Sequence, residues 1–522
     1  MLTEIAHFID QSLGSSQSTL ATIAGTGAVL VALLLVYRHN PVAKSPYPLV
    51  GADFKYHLFK SIRQRLHWFK HGPELIHTSF KKFPDTIFTL PSLDRTSIVL
   101  PPRYLQEIRD LTSKVASNSQ ATSDFFVGNW TSLNYDIFGH ATIDAIKTQY
   151  IAKIGQQIEP AASEAAYAFH MHFGSYHVAQ PKILQLVSQM VARTIVGPDI
   201  CRDPEWVPAV IGYAQNIFQC AVYLKLVPDF TRPFVTLFTP YRWRIEKCRR
   251  TIRRLTRPVI LQKMAWRRDR PESWREHVKN DEMTTLEWLI ETSKPEESTV
   301  YMLAHRLTGV SFGAAHTTSN TITNALMDLA NEFERWAPPL RKEIDDVLGG
   351  NTKGITNADL SKMWLLDSFF KESQRFHPPS KLSVNRKMMK DHTLSDGQVL
   401  PKGAHVSFAG VPMSMSGYYY DNAEEFDGFR FERLRRQGKN EQAGLQFTSS
   451  YGGSLHFGHG RYMCPGRFMG SLIAKLLMIE LLVRYDLKLG PGGRPENIMF
   501  FDMDIPNPKY GIFFKDRAGE AK

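Results

Sequence analysis

Near the C-terminus, residues 457–466 read F-G-H-G-R-Y-M-C-P-G, setting one cysteine among glycines just ahead of an apolar run, FMGSLIAKLLMIELLV. Gly458, Gly460 and Gly466 permit turns at positive φ and close backbone approach to a flat ligand. The apolar run predicts a helix, and a helix N-terminus together with loop amides lowers the pKa of a nearby thiol. Cys464 is therefore expected as a thiolate, suited to a soft metal or to nucleophilic attack. A cysteine that merely packs beside glycines is the plain alternative. With this composition, F-G-x-G-x-x-x-C-x-G arises by accident about 7 times in 100,000 chains of this length. The pattern therefore points to a working site. The remaining cysteines, Cys201, Cys220 and Cys248, form neither a CxxC pair nor a Cys/His zinc spacing, and so few of them imply a reducing compartment.

Two further stretches carry residues of chemical interest. In LTGVSFGAAHTTSNTI, Leu307–Ile322, the side chains shrink at Gly313, Ala314 and Ala315 just before His316 and Thr317. Small residues on a helix are commonly there for packing, and they also clear room for a ligand. In LLDSFFKESQRFHPP, Glu372 and Arg375 stand three apart, where any helix can form an ion pair. Similar pairs occur at Glu246/Arg249, Glu332/Arg335 and Glu432/Arg435. What separates this one is the apolar stretch before it and the His377-Pro378-Pro379 stop after it.

The elements that must position these residues are mostly helical, with helical periodicity near 150–195, 205–225, 241–268, 296–335 and 465–485. Strand-like runs fall near 86–100, 381–409 and 496–515. Strands and helices do not alternate, which argues against a doubly wound sheet. A hydrophobic content of 43% with 22% charged residues excludes a disordered chain, and 522 residues can enclose a bulky cofactor. No charge falls between Asp10 and Arg38, and Leu20–Tyr37 is close to the ~20 residues of a membrane-spanning helix. Arg38, Lys44, Lys55 and Lys60 follow it, so the N-terminus is expected to be lumenal and the body cytosolic. The expected division is a lumenal tail over 1–18, a transmembrane helix over 19–37, a proline-rich linker over 38–51 and one domain over 52–522. The net charge is +12, and 242–270 holds 12 Lys/Arg against Glu246 and Asp269. No zinc finger, helix-turn-helix or aromatic RNA-binding motif accompanies that stretch. It reads as a solvated helix face, suited to anionic lipid and not to nucleic acid.

The cysteine loop, the Glu372–Arg375 stretch, the small-residue helix and Arg430 in EEFDGFRFERL together resemble the cytochromes P-450, the haem-thiolate monooxygenases. The resemblance implies a mainly α fold with small β-sheets, in a single catalytic domain behind the N-terminal transmembrane helix. It implies haem b, with Cys464 as the axial iron ligand and Phe457, Gly458, Gly460, Arg461 and Gly466 around it. Thr317 matches the threonine that handles dioxygen and proton delivery. Glu372, Arg375 and Arg430 match a buried network bracing the haem loop. Two positions depart from the family pattern. His316 stands where an acid is common, and a histidine can relay protons near neutral pH. Tyr462 stands where a cation usually faces a haem propionate, so a replacement is sought among Arg386, Arg461 and Lys147. Substrate contacts are expected from 123–138, 307–318, Lys381–Val384 and Met499–Asp502. The His-Thr-Thr segment is similar to that of fungal ent-kaurene oxidase and gibberellin-pathway enzymes. It implies a lipophilic, terpenoid-type secondary metabolite as substrate and O2 as oxidant. Electrons would come from NADPH through NADPH-cytochrome P-450 reductase, at the endoplasmic reticulum membrane. A haem-thiolate isomerase or dehydratase, which needs no reductase, and a non-catalytic haem sensor stay open as alternatives.

Overall fold

A helix of 32 residues, Val300–Asn331, forms the axis of the molecule. Thr299 caps it by accepting from the Met302 N–H at 3.2 Å, and most of its side chains are buried. At 1.5 Å per residue it is about 48 Å long, enough to cross the whole body. Its neighbours are the helices Gln180–Val196, Pro240–Asp269 and Trp364–Phe376, with Arg467–Arg484 against its C-terminal half. One large apolar core joins these helices, so the central helix is positioned by burial on nearly every side. The computed structural model describes residues 45–50, 60–134, 140–172, 177–227, 229–280, 282–438, 442–450, 453–500 and 502–517.

Strands are short. Five of them form a sheet in the order Phe88–Pro91, Thr96–Val99, His405–Ala409, Leu382–Met388, Ala116–Ser117. The register between Leu382–Met388 and His405–Ala409 shifts between Ser383 and Arg386, where a bulge holds Val384 at φ +57°. A β-branched residue rarely adopts that conformation, which costs roughly 1–3 kcal/mol and turns the following side chains to a new direction. The side chains so turned are those of Asn385 and Arg386.

The helical run expected over 150–195 is divided. Helices Ile158–His172 and Gln180–Val196 flank a strand, His177–Ala179, which pairs antiparallel with Gly511–Phe513. Periodicity cannot register a three-residue strand whose partner lies more than three hundred residues away. The basic stretch forms the surface helix Pro240–Asp269, which buries Ile245, Ile252, Thr256 and Ile260 along one stripe. Several of its cations are ion-paired, among them Arg254 with Glu205 at 2.7 Å and Lys263 with Glu287 at 2.7 Å.

Within the expected linker, residues 45–50 dock onto the five-stranded sheet. Val50 N–H donates to the Thr89 carbonyl at 3.0 Å, and Thr89 N–H donates to that of Pro48 at 2.8 Å. The expected membrane helix over 19–37 lies outside the described residues. Among the described residues, no helix is long and apolar enough to cross a membrane.

Candidate functional site

The cysteine loop is closed by its own backbone. Cys464 N–H donates to the Phe457 carbonyl at 2.8 Å, and Gly458 N–H donates to that of Leu455 at 2.8 Å. Gly458 and Gly460 sit at φ +76° and +68°, the conformation for which glycine was expected here. At Gly460 an added Cβ would also come 2.1 Å from Cγ of Arg109. Helix Arg467–Arg484 starts directly after the loop, and Lys147 and Arg467 fasten it by donating to the Arg461 and Cys464 carbonyls at 2.8 and 2.9 Å.

Cys464 opens onto a cavity of about 270 Å³ whose opposite wall is the central helix, at Gly309, Val310, Gly313, Ala314, Thr317 and Thr318. The remaining wall comes from Asn118, Thr122, Ile143 and Ile146. Gly313 and Gly466 have open space where a Cβ would sit, so packing within the chain does not require glycine at either. Thr317 faces the cavity, and its hydroxyl donates to the Gly313 carbonyl at 2.7 Å.

Opposing influences act on the thiol. Burial pushes the Cys464 pKa up, and this outweighs the Gly466 and Arg467 amides and the Arg467 and Lys147 charges, which pull it down. Its sulfur is accessible from the cavity, while protein surrounds it on its other sides. Burial thus works against the helix N-terminus at this thiol, and a bound cation at the sulfur would favour the thiolate.

His316 points elsewhere. It is not among the residues lining this cavity; its ring lies toward the Ile211 backbone, and burial holds its pKa down at about 4. The neutral imidazole therefore persists across the physiological range. The unfolded chain binds a proton there below about 6.5 and the folded chain does not until about 4, so stability falls as pH drops through that window. His316→Gln is expected to flatten the loss of thermal stability between those values. It is expected to leave the pH profile of turnover above pH 6 unchanged, as melting curves and a rate profile would show.

The structure joins Glu372, Arg375 and Arg430. Arg375 donates to Glu372 at 2.8 and 2.7 Å, and Arg430 Nε donates to it at 3.2 Å. The two guanidiniums also donate to the carbonyls of Ser414, Ala423, Glu425, Asp421 and Asn422. The segment leading to the cysteine loop is thereby held to helix Trp364–Phe376.

Among the cations proposed to replace the one missing at Tyr462, Arg386 stands out. It is 1% exposed, and its Nε and Nη2 have no hydrogen-bond partner among the described residues. Nη1 donates to the Asn385 carbonyl at 2.9 Å, and the guanidinium lies 4.7 Å from the Tyr462 ring centroid. Burial pulls its pKa down to about 10. A buried guanidinium without a carboxylate is costly unless an anion completes it. With open space at Gly313 and Gly466 and a soft sulfur in the floor, these residues fit a flat apolar group carrying acidic substituents, as haem does. Lys147 instead donates to the Arg461 carbonyl. Arg386→Met is expected to raise the melting temperature of the haem-free chain while speeding haem loss about tenfold or more. Melting curves and haem transfer to an excess of a scavenging globin would show the two opposite signs.

Sequence reasoning did not single out Asn118, Thr122, Arg109 or His456. His456 locks the loop from behind, Nδ1 to Ser454 Oγ at 2.8 Å and Nε2 to the Phe447 carbonyl at 3.1 Å. Short polar residues on a separate helix carry no local signal of a site.

Comparison with known proteins agrees with this geometry. The cytochrome P-450 family model matches residues 156–515. The cytochrome P-450 monooxygenase olcJ of Penicillium canescens is 32% identical, over 94% of this chain and 92% of its own. The monooxygenase paxP of Penicillium paxilli is 33% identical, over 95% of each. Among solved structures, the retinoic-acid-bound cyanobacterial CYP120A1 superposes with a TM-score of 0.64 at 16% identity, over 87% of this chain and 96% of that one. That likeness concerns the fold alone. Matched along nearly its full length, and with a cysteine loop facing a small-residue helix, the chain belongs to the cytochrome P-450 family of monooxygenases.

Proposed function

We propose that this protein is a membrane-associated haem-thiolate monooxygenase that inserts oxygen from O2 into a lipophilic, terpenoid-type secondary metabolite. Electrons come from NADPH through a flavoprotein reductase. The observation that carries the reading is the cavity that sets Cys464 opposite Gly313 and Thr317 between apolar walls. Relatives named as monooxygenases in two Penicillium species support it.

Cys464 would hold the iron, Phe457 would pack beside the sulfur, and Arg386 would meet an acidic edge of the ring. When bound, haem supplies dioxygen activation and C–H oxidation, with the thiolate's electron donation favouring O–O cleavage. The chain supplies the rest. Val310, Ala314, Ile143, Ile146 and Met469 line a largely apolar space, which excludes water and strengthens each polar contact inside it. Thr317 Oγ, while donating to the Gly313 carbonyl, keeps lone pairs free to accept from the cavity. Rotation of the hydroxyl about the Cβ–Oγ bond turns it into a donor toward the cavity, so it can hold or pass a proton at that wall. His316, neutral and on another side of the helix, serves packing against Ile211 in this reading.

Membrane association draws on the uncharged stretch Leu20–Tyr37 and on a second feature. Phe230, Phe234, Leu237, Phe238 and Trp243 are exposed together around helix Arg232–Phe238, Phe238 by 85%. The basic helix Pro240–Asp269 follows at once, so an apolar knuckle adjoins a cationic face, the pairing that an anionic bilayer surface attracts. The endoplasmic reticulum, with the body on the cytosolic side, is the corresponding location.

Membranes carrying the full chain should convert a terpenoid to an oxygenated product only when both NADPH and reductase are supplied. Product formed equally without them would replace the monooxygenase with a haem-thiolate isomerase. Haem bound with no product from any class of lipophile would favour a sensor.

A further inference from the structure

A separate cavity, of about 500 Å³, lies behind the helix that starts after Cys464. Met469 and Gly470 of that helix line the Cys464 cavity, whereas Phe468, Ser471, Leu472 and Lys475 line this one. Successive helical residues turn by about 100°, which puts the two sets on opposite faces. The two cavities share no lining residue, so a haem in one leaves the other open. By itself this space falls within the range of about 300–1,000 Å³ typical of small-molecule sites.

Three charged side chains reach the cavity, Arg435, Lys475 and Asp367, each more than nine-tenths buried. They pair with one another. Asp367 accepts from Arg435 Nη2, from Lys475 Nζ at 2.6 Å and from the Phe447 N–H at 2.9 Å. Burial raises its pKa, and Lys475 and Arg435 more than offset this. Two cations thus share one carboxylate, and donors are left over. Arg435 Nη2 also donates to the Leu445 carbonyl at 3.1 Å, whereas Nε and Nη1 have no hydrogen-bond partner among the described residues. Lys475 Nζ reaches the Leu360 carbonyl only at 3.5 Å.

Behind this wall one further cation and one further carboxylate offset each other. Lys371 donates to the Gly444, Gln446 and Ser449 carbonyls, and Glu343 accepts from the Leu365 and Leu366 amides. The cavity itself therefore carries one positive charge in excess, at a depth where an unmatched charge is costly unless an anion completes it. Thr448 and Ser471 add hydroxyls beside the cations, and Trp364, Phe468, Leu472 and Ile154 supply apolar wall.

We infer that this cavity binds an apolar organic monoanion, its carboxylate on Arg435 and Lys475 and its body against Trp364, Phe468 and Leu472. A monoanion matches the single excess charge, whereas a phosphate dianion would reverse it. The apolar walls offer an inorganic ion nothing, and they reward an aromatic or alicyclic acid by the area it buries.

The haem-loaded full chain, in detergent, is dialysed against radiolabelled 2-naphthoate and, in parallel, 2-naphthamide. An azole bound at the haem iron keeps both probes out of the Cys464 cavity. One equivalent of naphthoate should bind, about tenfold or more tighter than the amide, as expected for hydrogen bonds between charged groups. Arg435→Gln leaves Asp367 paired with Lys475, so the fold should persist. In that variant naphthoate should weaken about tenfold or more and naphthamide by no more than about twofold. A role in folding alone would not separate the two probes. Should the variant fail to take up haem, Ser471→Leu, which puts an apolar side chain into the cavity, should weaken both probes about tenfold. Equal affinity for acid and amide, or naphthoate affinity unchanged in both variants, would overturn the inference. Inorganic phosphate competing as well as naphthoate would also overturn it, and would leave a site for an adventitious ion only.

Discussion

Cys464→Ser is expected to abolish monooxygenase turnover, by at least about 10³-fold, in protein that still takes up haem. A serine hydroxyl ionises far less readily than a thiol and offers a hard oxygen in place of a polarisable sulfur. The anchors away from the sulfur stay intact: Arg386 beside Tyr462, Phe457 in the cavity wall and the open space at Gly313. Haem content should therefore fall much less than activity, and the thiolate signature in the haem absorption should vanish. The other cysteines provide the control. Burial pushes the thiols of Cys201 and Cys220 up to about 12 and about 11, and that of Cys248 up as well. Alanine at any of them should leave the haem spectrum unchanged. A Cys464→Ser protein with unaltered rate and spectrum would end the mechanism proposed here.

The second large effect concerns Glu372. Its carboxylate accepts from Arg375 twice, from Arg430 Nε and from the Asp427 N–H, and both its own side chain and that of Arg375 are 0% exposed. Two cations share this one anion, with the excess charge spread over backbone carbonyls. Glu372→Gln leaves both guanidiniums buried without an anion, which should cost about 3–5 kcal/mol, enough to threaten the folded state. Arg430→Met leaves a balanced pair and should cost less, about 1–3 kcal/mol. Denaturant unfolding of the two variants tests this order. If Arg430→Met proved the more damaging, the charge count would not be what governs this site.

The parts of the site that were legible in the sequence are those whose chemistry is local. A loop that must turn twice at positive φ and then enter a helix declares itself through Gly458, Gly460 and the apolar run after Cys464. The network is different. Glu372 and Arg375 resemble several ordinary helical pairs, and only proximity in space to Arg430 distinguishes them. Arg386 could be named only as one of three candidate cations, because its importance lies in what it lacks among the described residues, a partner for Nε and Nη2. The balance at the Cys464 thiol is hidden for a related reason. The helix N-terminus is readable from sequence, whereas the burial that outweighs it is a property of the assembled core. His316 likewise reads as a proton relay by position, yet a rotation of about 100° per residue carries it off the wall that Thr317 faces.

The walls of the Cys464 cavity come from three widely separated stretches, 118–146, 309–318 and 457–470. On a ribosome adding about 5–20 residues per second, tens of seconds separate the emergence of Asn118 from that of Phe457. Throughout that interval the apolar lining of the first two stretches has nothing to close against and is open to chaperones or to wrong partners. The site is consequently complete only once the cysteine loop has emerged. A chain broken just before the cysteine loop leaves the ribosome with most of its core residues made and no site at all.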